Sequence, residues 1–450
     1  MLALPSITAP AGFIASFVSF LFCSSFSLAT GLLIAEVTLN SPTRSDTLGT
    51  SREASRTEEE GTVGLLTLSD KLLGKSGGIF VLLPYLFLHY SLLVAYISKF
   101  SQLVYDRLGV APPVSSSLFT LLLGGVCLGL PTPSVDAVNS TLVACMIAAF
   151  AGLLIVAASS VDPSLLLTPP HWDQTLSALP IIALAFVYQN VVPVVVKRLR
   201  NNRKKVVEAL VWGMVLAFLM FTLWDGAILG AQPQGGSNWD VASHPQDPLE
   251  TLQAISPVAG SLADAFSLFT LATSFIGFAL SLTDFIGEAL SSDINKPAGW
   301  VTANMSEDVR DHPQPSHPKS SATSIARSGD DDNTTDTSLK HSEETIPVKR
   351  KPSRRLVCFG LALAPPLLFA QLNPEGFYSV LDYAGTYGVM SLFGILPVAL
   401  CWQQRYIGNT VAQSMELVPG GKPVLLFLGG AATAVIFNQA IMHLAQHGVL

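Results

Sequence analysis

The stretch ALPIIALAFVYQNVVPVVVKRLRNNRKK, residues 178–205, carries the two features that decide the fold. It begins as an apolar run of the kind that crosses a membrane, for which a helix needs about 20 apolar residues. Tyr188, Gln189 and Asn190 interrupt that run just before Pro193, and a basic loop follows. The stretch therefore predicts a membrane helix that polar residues interrupt near its middle, by an unwinding or a proline kink, and that a basic loop follows.

The composition of the whole chain agrees with a membrane protein. Of its 450 residues, 50% are hydrophobic and only 13% are charged, where a soluble domain has about 25% charged residues. The mean hydropathy is +0.48. Most of the charge is concentrated in the stretches 44–60, 197–208 and 293–355. Because the net charge is -7, the chain has no overall attraction for phosphate, and nucleic acid is not an expected partner.

The apolar runs are long enough for ten membrane spans. They are continuous and do not alternate between apolar and polar residues, so we expect α-helices rather than the strands of a barrel. The sequence predicts an all-α integral membrane protein with a single transmembrane domain over residues 1–450. The runs lie at about 13–39, 78–102, 114–130, 138–161, 176–196, 206–230, 258–290, 356–372, 378–402 and 424–444.

Three polar or amphipathic segments separate these runs. A short amphipathic piece around 65–73 precedes the second span, and a polar loop occupies 41–61. The segment 293–355 is rich in Ser, Thr, Asp and Pro. It has too few apolar residues to offset the entropy of ordering, so we expect a disordered loop on the cytoplasmic side.

The basic loops predict the orientation. The loops at 197–205 and 348–355 are separated by two spans and therefore lie on the same side, as do Arg405 and Lys422. The positive-inside rule makes that side cytoplasmic, or the stroma or matrix of an organelle. The sequence leaves open whether the membrane is the plastid inner envelope or the plasma membrane.

Catalysis and metal binding find no support in the sequence. The five cysteines are scattered through apolar runs without a C-x-x-C pair, which is typical of packing residues. No spacing of a nucleophile with a base, or of metal ligands, is present. We therefore expect no catalytic residue, no metal, no cofactor and no enzymatic activity.

The polar residues inside the spans each have two interpretations. Tyr188, Gln189 and Asn190 either mark a local unwinding that exposes the backbone to a substrate, or a proline kink whose polar side chains bind neighbouring helices. Thr273 and Ser274, in the middle of the span 258–290, either ligate a cation or bond back to the preceding turn. Local sequence alone favours the second interpretation in both cases.

Carboxylates within the spans are functional hypotheses by default. Asp284, Glu288 and Glu36 come near the cytoplasmic ends of their helices, where we interpret them as solvated or paired gate residues. Asp382 lies toward the external side, where it either serves transport or reaches the interface. Tyr90 is the tyrosine closest to the middle of its span.

Five stretches of the chain, taken in order, form a collinear set that is specific, although each piece alone would be weak. They are MLALPSITAPAGF (1–13), ALPIIALAFVYQNVVPVVVKRL (178–199), LFTLATSFIGFALSLTDFIGEAL (268–290), LAPPLLFAQLNPEGFYSVLDYAGTYGV (363–389) and VPGGKPVLLFL (418–428). Together they resemble the tyrosine- and tryptophan-specific permeases of bacteria, the hydroxy and aromatic amino-acid permease family. The resemblance covers nearly the whole chain and is broken by the polar insertions around 44–60 and 293–355.

The resemblance implies a leucine-transporter-like fold: two inverted repeats of five helices plus an eleventh helix. In such carriers the first helix of each repeat is broken, and the substrate lies between the breaks. Half-helix N-termini would hold its carboxylate and exposed carbonyls its ammonium group. The implied substrate-binding residues are Met1, Leu2, Tyr90, Phe186, Tyr188, Gln189, Asn190 and Phe275, and the implied cation-coupling residues are Thr273 and Ser274.

The implied function is secondary active transport of an aromatic amino acid by alternating access, in symport with a cation. Tyrosine is the favoured substrate, and a proton is favoured over sodium as the cation. The implied partners are that substrate, the coupling cation and the lipid bilayer. Two alternatives stay open: a non-transporting sensor or scaffold derived from such a carrier, and a carrier of other amino acids. Family members place a Gly-rich half-helix before M-L-A-L-P, so we expect a chain truncated at its N-terminus, with the first half of helix 1 missing.

Overall fold

The computed structural model describes residues 3–41, 65–230, 257–291, 352–373, 377–407 and 416–446. Within these ranges, ten helices are long enough and apolar enough to cross a membrane. This confirms the predicted all-α class. The predicted polar loop at 41–61 and the predicted disordered loop at 293–355 lie almost entirely outside the described residues, as do Met1 and Leu2.

The helices follow the apolar runs in order and begin or end within a few residues of most predicted bounds. A single 3₁₀ turn joins α7 to α8, and π-helical segments follow α12 and α13. The elements are α1 (Leu4–Thr8), α2 (Phe13–Leu39), α3 (Leu65–Leu108), α4 (Pro112–Gly129), α5 (Thr132–Ala158), α6 (Pro163–Leu166), α7 (Thr175–Ala185), the 3₁₀ turn (Gln189–Val191), α8 (Val192–Arg198), α9 (Arg203–Leu229), α10 (Pro257–Ser291), α11 (Pro352–Leu372), α12 (Phe377–Tyr383), the first π segment (Ala384–Ile395), α13 (Leu396–Trp402), the second π segment (Gln403–Ile407) and α14 (Gly421–Gln446).

A tight corner joins α1 to α2. Pro5 stands in the first turn of α1, where its missing N–H costs no hydrogen bond. Gly12 has a φ of 82°, a conformation that favours glycine, and its N–H donates to the Thr8 carbonyl at 3.1 Å. The N–H of His171 donates to the Ala11 carbonyl at 3.0 Å. The segment before α7 therefore lies over this corner.

Helix α3 joins two pieces that the sequence separates. The amphipathic piece at 65–73 and the following span form one 44-residue element, interrupted by non-helical backbone at Gly74. Its φ of 68° and ψ of -167° are accessible to glycine and strained for other residues. The chain therefore kinks at Gly74, between the amphipathic piece and the span that the sequence separates.

The buried apolar side chains form two clusters, which α3 and α9 both join. The first cluster is built mainly from α1, α2, α7, α8 and α12 to α14, and the second mainly from α4, α5, α10 and α11. Leu88 of α3 and Leu210 of α9 belong to the first cluster, while Ile97 of α3 and Trp224 of α9 belong to the second. The broken helix predicted from the sequence lies in the first cluster.

The outward faces of the spans are apolar. Leu118 and Leu121 of α4 and Trp212 and Leu216 of α9 are each at least 60% exposed. Exposed apolar surface of this extent is typical of helices that face lipid.

Candidate functional site

The helix formed by α7 and α8 is broken at the predicted residues. The last turn of α7 ends at Ala185, and Tyr188 has a φ of -144° and a ψ of -2°, which no helical residue adopts. One 3₁₀ turn follows before Pro193 enters the first turn of α8. The backbone is therefore unwound over about one turn inside a membrane span, where each polar backbone group needs a partner.

The side chain of Gln189 forms hydrogen bonds both with the unwound backbone and with the neighbouring helix α2. Its Oε1 accepts a hydrogen bond of 2.9 Å from the backbone N–H of Tyr188. Its Nε2 donates to Thr30 Oγ1 at 3.1 Å and to the Ser27 carbonyl at 3.5 Å, both on α2. Gln189 is only 1% exposed. A single amide thus stabilises the unwound segment and ties it to α2.

Aromatic rings surround the break. Phe186, 2% exposed, packs edge-to-face against Phe221 of α9 and Phe20 of α2, with ring centroids 5.0 and 6.2 Å apart. The ring of Tyr188 packs directly against Gly31 of α2, where a Cβ atom would collide with it. The Tyr188 hydroxyl is buried without a hydrogen-bond partner among the described residues. The break therefore presents a buried polar atom within an aromatic environment.

A cavity of about 270 Å³ lies between the break and α9. This volume is close to the lower end of the range of about 300–1,000 Å³ for small-molecule sites. Its wall is apolar and aromatic. It is lined by Ala185, Phe186, Val187, Tyr188, Val195, Ala209, Leu210, Gly213, Met214 and Ala217.

The predicted cation-coupling residues lie on α10. Thr273 Oγ1 donates back to the carbonyls of Phe269 and Thr270, at 2.9 and 3.1 Å. Ser274 forms a hydrogen bond with Tyr96 of α3. Both hydroxyls thus have partners within the protein, and the back-bonding anticipated from the sequence is present at Thr273. Their role in coupling stays a prediction.

The structure does not bring all the predicted aromatic residues together. The Tyr90 hydroxyl donates to the Leu361 carbonyl of α11 at 2.9 Å, and Phe275 packs against Phe119 of α4 with ring centroids 5.1 Å apart. Both belong to the second cluster, whereas Phe186 belongs to the first. Of the predicted residues, Phe186, Tyr188 and Gln189 meet at the break, where the half-buried Asn190 follows them.

Sequence reasoning missed a buried carboxyl group on α9. Asp225, in the run FTLWDGAIL, is fully buried, and its Oδ1 lies at hydrogen-bond distance, 2.6 Å, from Thr8 Oγ1 of α1. The signal was present, because an acidic residue inside an apolar span is a functional hypothesis by default. Its partner could not be read from the sequence, since the two residues are 217 positions apart.

Two further polar pairs join distant helices near opposite ends of the bundle. Glu36 of α2 accepts hydrogen bonds from Arg405 Nε at 2.6 Å and Nη2 at 2.7 Å, so the expected gate residue is paired. At the other end, His443 Nε2 of α14 lies 2.7 Å from Asp382 Oδ2 of α12. The carboxylate of Asp382 therefore faces a neighbouring helix and not only the interface.

The described residues form ten apolar spans, one of which is unwound in its middle, and these define the protein as an all-α integral membrane transporter. The comparison with protein families agrees. The chain belongs to the tryptophan/tyrosine permease family, whose model matches residues 1–303 and 341–438. This confirms the resemblance seen in the sequence.

Curated relatives carry names of the same kind. The chain is 26% identical to tyrosine-specific transport system 1 of Haemophilus influenzae over 355 residues, which cover 77% of this chain and 74% of that protein. It is 28% identical to the tryptophan-specific transport protein of the same organism, over 65% of this chain and 71% of that protein. It is 26% identical to the tryptophan-specific transport protein of Shigella flexneri, over 65% and 70%.

Proposed function

We propose that the protein is a secondary active carrier of aromatic amino acids, with tyrosine its main substrate and protons its coupling cation, working by alternating access. The family and the names of the relatives support amino-acid transport, and the similarity to tyrosine- and tryptophan-specific proteins supports an aromatic substrate. Transport by such a carrier involves no covalent chemistry on the substrate.

The observation that carries this proposal is the break held open by Gln189. An unwound segment inside a membrane is tolerated where it lines a cavity or is buried in protein. Here it does both, because Gln189 anchors it to Thr30 while Phe186 and Tyr188 line the adjoining cavity. A carrier needs such a segment, since backbone groups released from the helix can bind a polar ligand near the middle of the membrane.

The break offers complementary groups to an aromatic amino acid. The C-terminal end of α7, at Ala185, carries the negative end of a helix dipole and attracts an ammonium group. Phe186 and Tyr188 offer ring faces and edges to an aromatic side chain, a contact worth about 0.5–1.5 kcal/mol beyond its buried area. In the proposed cycle, rocking of one group of helices against the other exposes this segment to each side in turn.

The experiment measures uptake of labelled tyrosine by proteoliposomes that contain the purified protein, with tryptophan and leucine as competitors. We expect tyrosine uptake that tryptophan inhibits more strongly than leucine does. Phe186→Leu should raise the KM for tyrosine by up to roughly tenfold, the equivalent of one aromatic contact of about 1.4 kcal/mol.

The matched control is Phe359→Leu, which removes an equally buried ring from the second cluster. We expect its KM to match that of the wild type. An equal rise in KM for the two substitutions would show that the break is not part of the substrate site. Equal inhibition by leucine and tryptophan would contradict an aromatic substrate.

A further inference from the structure

Asp225 is buried in apolar surroundings near the end of α9 that is remote from the basic loop. It is 0% exposed, and the neighbouring Trp224 packs against Phe266 of α10 and Phe150 of α5, with ring centroids 5.2 and 6.1 Å apart. Among the described residues, Thr8 is its one hydrogen-bond partner, and its Oδ2 has none. A carboxylate in such surroundings is costly to keep charged without a cation beside it.

Glu36 shows what this protein provides for a carboxylate that stays charged. It is equally buried, and its oxygens accept hydrogen bonds from Arg405 and from the backbone N–H of Leu417. Asp225 has no such partners in the described structure. Its surroundings fit a carboxyl group that carries a proton.

The geometry at Thr8 requires a choice between two arrangements. Its hydroxyl has a single hydrogen, yet Thr8 Oγ1 lies 2.6 Å from Asp225 Oδ1 and 2.8 Å from the carbonyl oxygen of Leu4. That hydrogen can satisfy only one of the two oxygens fully. The second short contact needs another hydrogen, which a protonated Asp225 supplies.

We infer that Asp225 is a proton-binding site, linked through the Thr8 hydroxyl to the first turn of α1. With the proton bound, the Asp225 carboxyl O–H donates to Thr8 Oγ1, and Thr8 donates to the Leu4 carbonyl. When water removes the proton, the Thr8 hydrogen turns to the carboxylate and the Leu4 carbonyl loses that hydrogen bond. One proton is exchanged with water, and no other bond forms or breaks.

This inference rests on the proposed function, and it assigns the coupling role to a residue pair. Helix α1 packs against α9 and α7, the helix that ends at the break. A change in hydrogen bonding at Leu4 therefore acts on an element beside the substrate segment. Proton binding at Asp225 and the position of α1 therefore depend on each other, as coupling requires.

Other titratable groups on the elements packed against this end of α9 do not contact Asp225 in the described structure. Helix α1 carries no such group between Leu4 and Thr8. Glu36 is bound to Arg405, Asp264 to Arg107, and Asp162 to Ser164. Among the groups whose side chains the structure describes, the remaining ones on these elements and on the segment before α7 are Cys23, Asp136, Cys145, His171, Asp173 and Asp284.

The test compares two rates in proteoliposomes: tyrosine uptake driven by an inward proton gradient, and tyrosine exchange at equal pH on both sides. We expect the ratio of the first rate to the second to be well above one in the wild type and to fall to about one in Asp225→Asn. Asp264→Asn, which removes a partly exposed carboxylate of α10, is the matched control and should keep the wild-type ratio. A wild-type ratio in Asp225→Asn would overturn the inference.

A second measurement does not depend on transport. Infrared difference spectra of the wild type between acidic and alkaline pH should contain the band of a protonated carboxyl group, which Asp225→Asn removes and Thr8→Val shifts. A band that both variants leave unchanged would overturn the proton site. Absence of any tyrosine exchange by the wild type would instead count against the proposed function, and the infrared result would still decide the assignment of the proton.

Discussion

Gly31 is the residue that lets Tyr188 lie against α2. A Cβ atom at this position would collide with the Tyr188 hydroxyl and, at 2.6 Å, with its Cζ. Gly31→Ala should therefore displace the tyrosine ring and destabilise the protein by about 1–3 kcal/mol, the usual cost of overpacking. The measurement is thermal unfolding in detergent, together with the KM for tyrosine.

Gly125→Ala is the matched control for this substitution. Gly125 lies inside α4, and a Cβ there meets no atom within 4 Å. Because alanine favours helix, we expect a stabilisation of about 0.5–1 kcal/mol. If Gly31→Ala were as well tolerated as Gly125→Ala, the contact between Tyr188 and α2 would be absent in the protein.

Gln189 is predicted to be the residue that keeps the break in place. Gln189→Ala leaves the Tyr188 N–H without its acceptor and Thr30 without its donor, at an expected cost of about 1–3 kcal/mol. Gln371→Ala removes a partly exposed amide that donates to Ser117 Oγ at 2.9 Å, and it should cost about 1 kcal/mol or less. Unfolding temperatures of the two variants provide the comparison, and equal shifts would contradict a special role for Gln189.

For single residues, the sequence predicted where polar side chains interrupt an apolar run, but not what those side chains bind. Gln189 stood out because an amide inside a span needs a partner. Elements of both interpretations are present, since the helix is unwound and the amide binds the neighbouring helix. Exposure of the unwound backbone to a substrate stays a prediction. Asp225 and Thr8 could not be paired, since that contact depends on how α1 packs against α9.

At the scale of elements, a buried ion pair fastens α2 to the end of the span that contains α13. Arg405 is 2% exposed and Glu36 is fully buried, and Arg405 Nη2 also donates to the Val418 carbonyl at 3.0 Å. Glu36→Gln leaves the buried Arg405 with the half-exposed Glu416, whose Oε2 lies 3.5 Å from Arg405 Nη1, as its remaining carboxylate partner in the described structure. We therefore expect Glu36→Gln to cost about 3–5 kcal/mol.

The pair between Arg107 and Asp264 is the matched control for this prediction. Its N–O distance is 2.9 Å, but its side chains are 37% and 30% exposed. Asp264→Asn should therefore cost only about 0–1 kcal/mol. Comparable losses in unfolding temperature for Glu36→Gln and Asp264→Asn would show that the Glu36 pair is not buried in the membrane-embedded protein.

Helix bounds were largely predictable because lipid imposes a minimum length on an apolar helix. The predicted run 13–39 coincides with α2. The amphipathic piece predicted at 65–73 is separated from the following span by non-helical backbone at Gly74. The packing of that piece into the first cluster could not be predicted, because it depends on contacts with distant helices.

At the scale of the whole molecule, the basic loop between α8 and α9 and the segment before α7 are predicted to lie on opposite sides of the membrane. A membrane-impermeant thiol reagent applied from one side tests this with Lys204→Cys and Ser159→Cys. The background should carry Cys145→Ala, since Cys145 is the exposed cysteine among the described residues. We expect labelling of Ser159→Cys from outside and of Lys204→Cys only from the cytoplasmic side.

Equal labelling of both positions from one side would contradict the ten-span topology. The opposite pattern would reverse the orientation and leave the fold intact. The two variants thus test two things separately: the number of spans between the labelled positions, and the orientation in the membrane that the basic residues predict.

The two hydrophobic clusters divide most of the helices into two groups. The break, α1 and α2 belong to the first cluster, while α4, α5, α10 and α11 form most of the second. The predicted rocking motion requires two groups of helices that move against each other. The sequence could not show this division, because α3 and α9 each contribute residues to both clusters.

Uphill accumulation of tyrosine is the direct consequence of proton-coupled symport. In proteoliposomes with the membrane potential clamped at zero, symport of one proton per tyrosine predicts roughly tenfold accumulation per unit of inward pH gradient, since both gradients then store about 1.4 kcal/mol. A proton ionophore should abolish this accumulation. If tyrosine only reached equal concentrations on both sides of the membrane, whatever the pH gradient, that result would contradict proton-coupled symport.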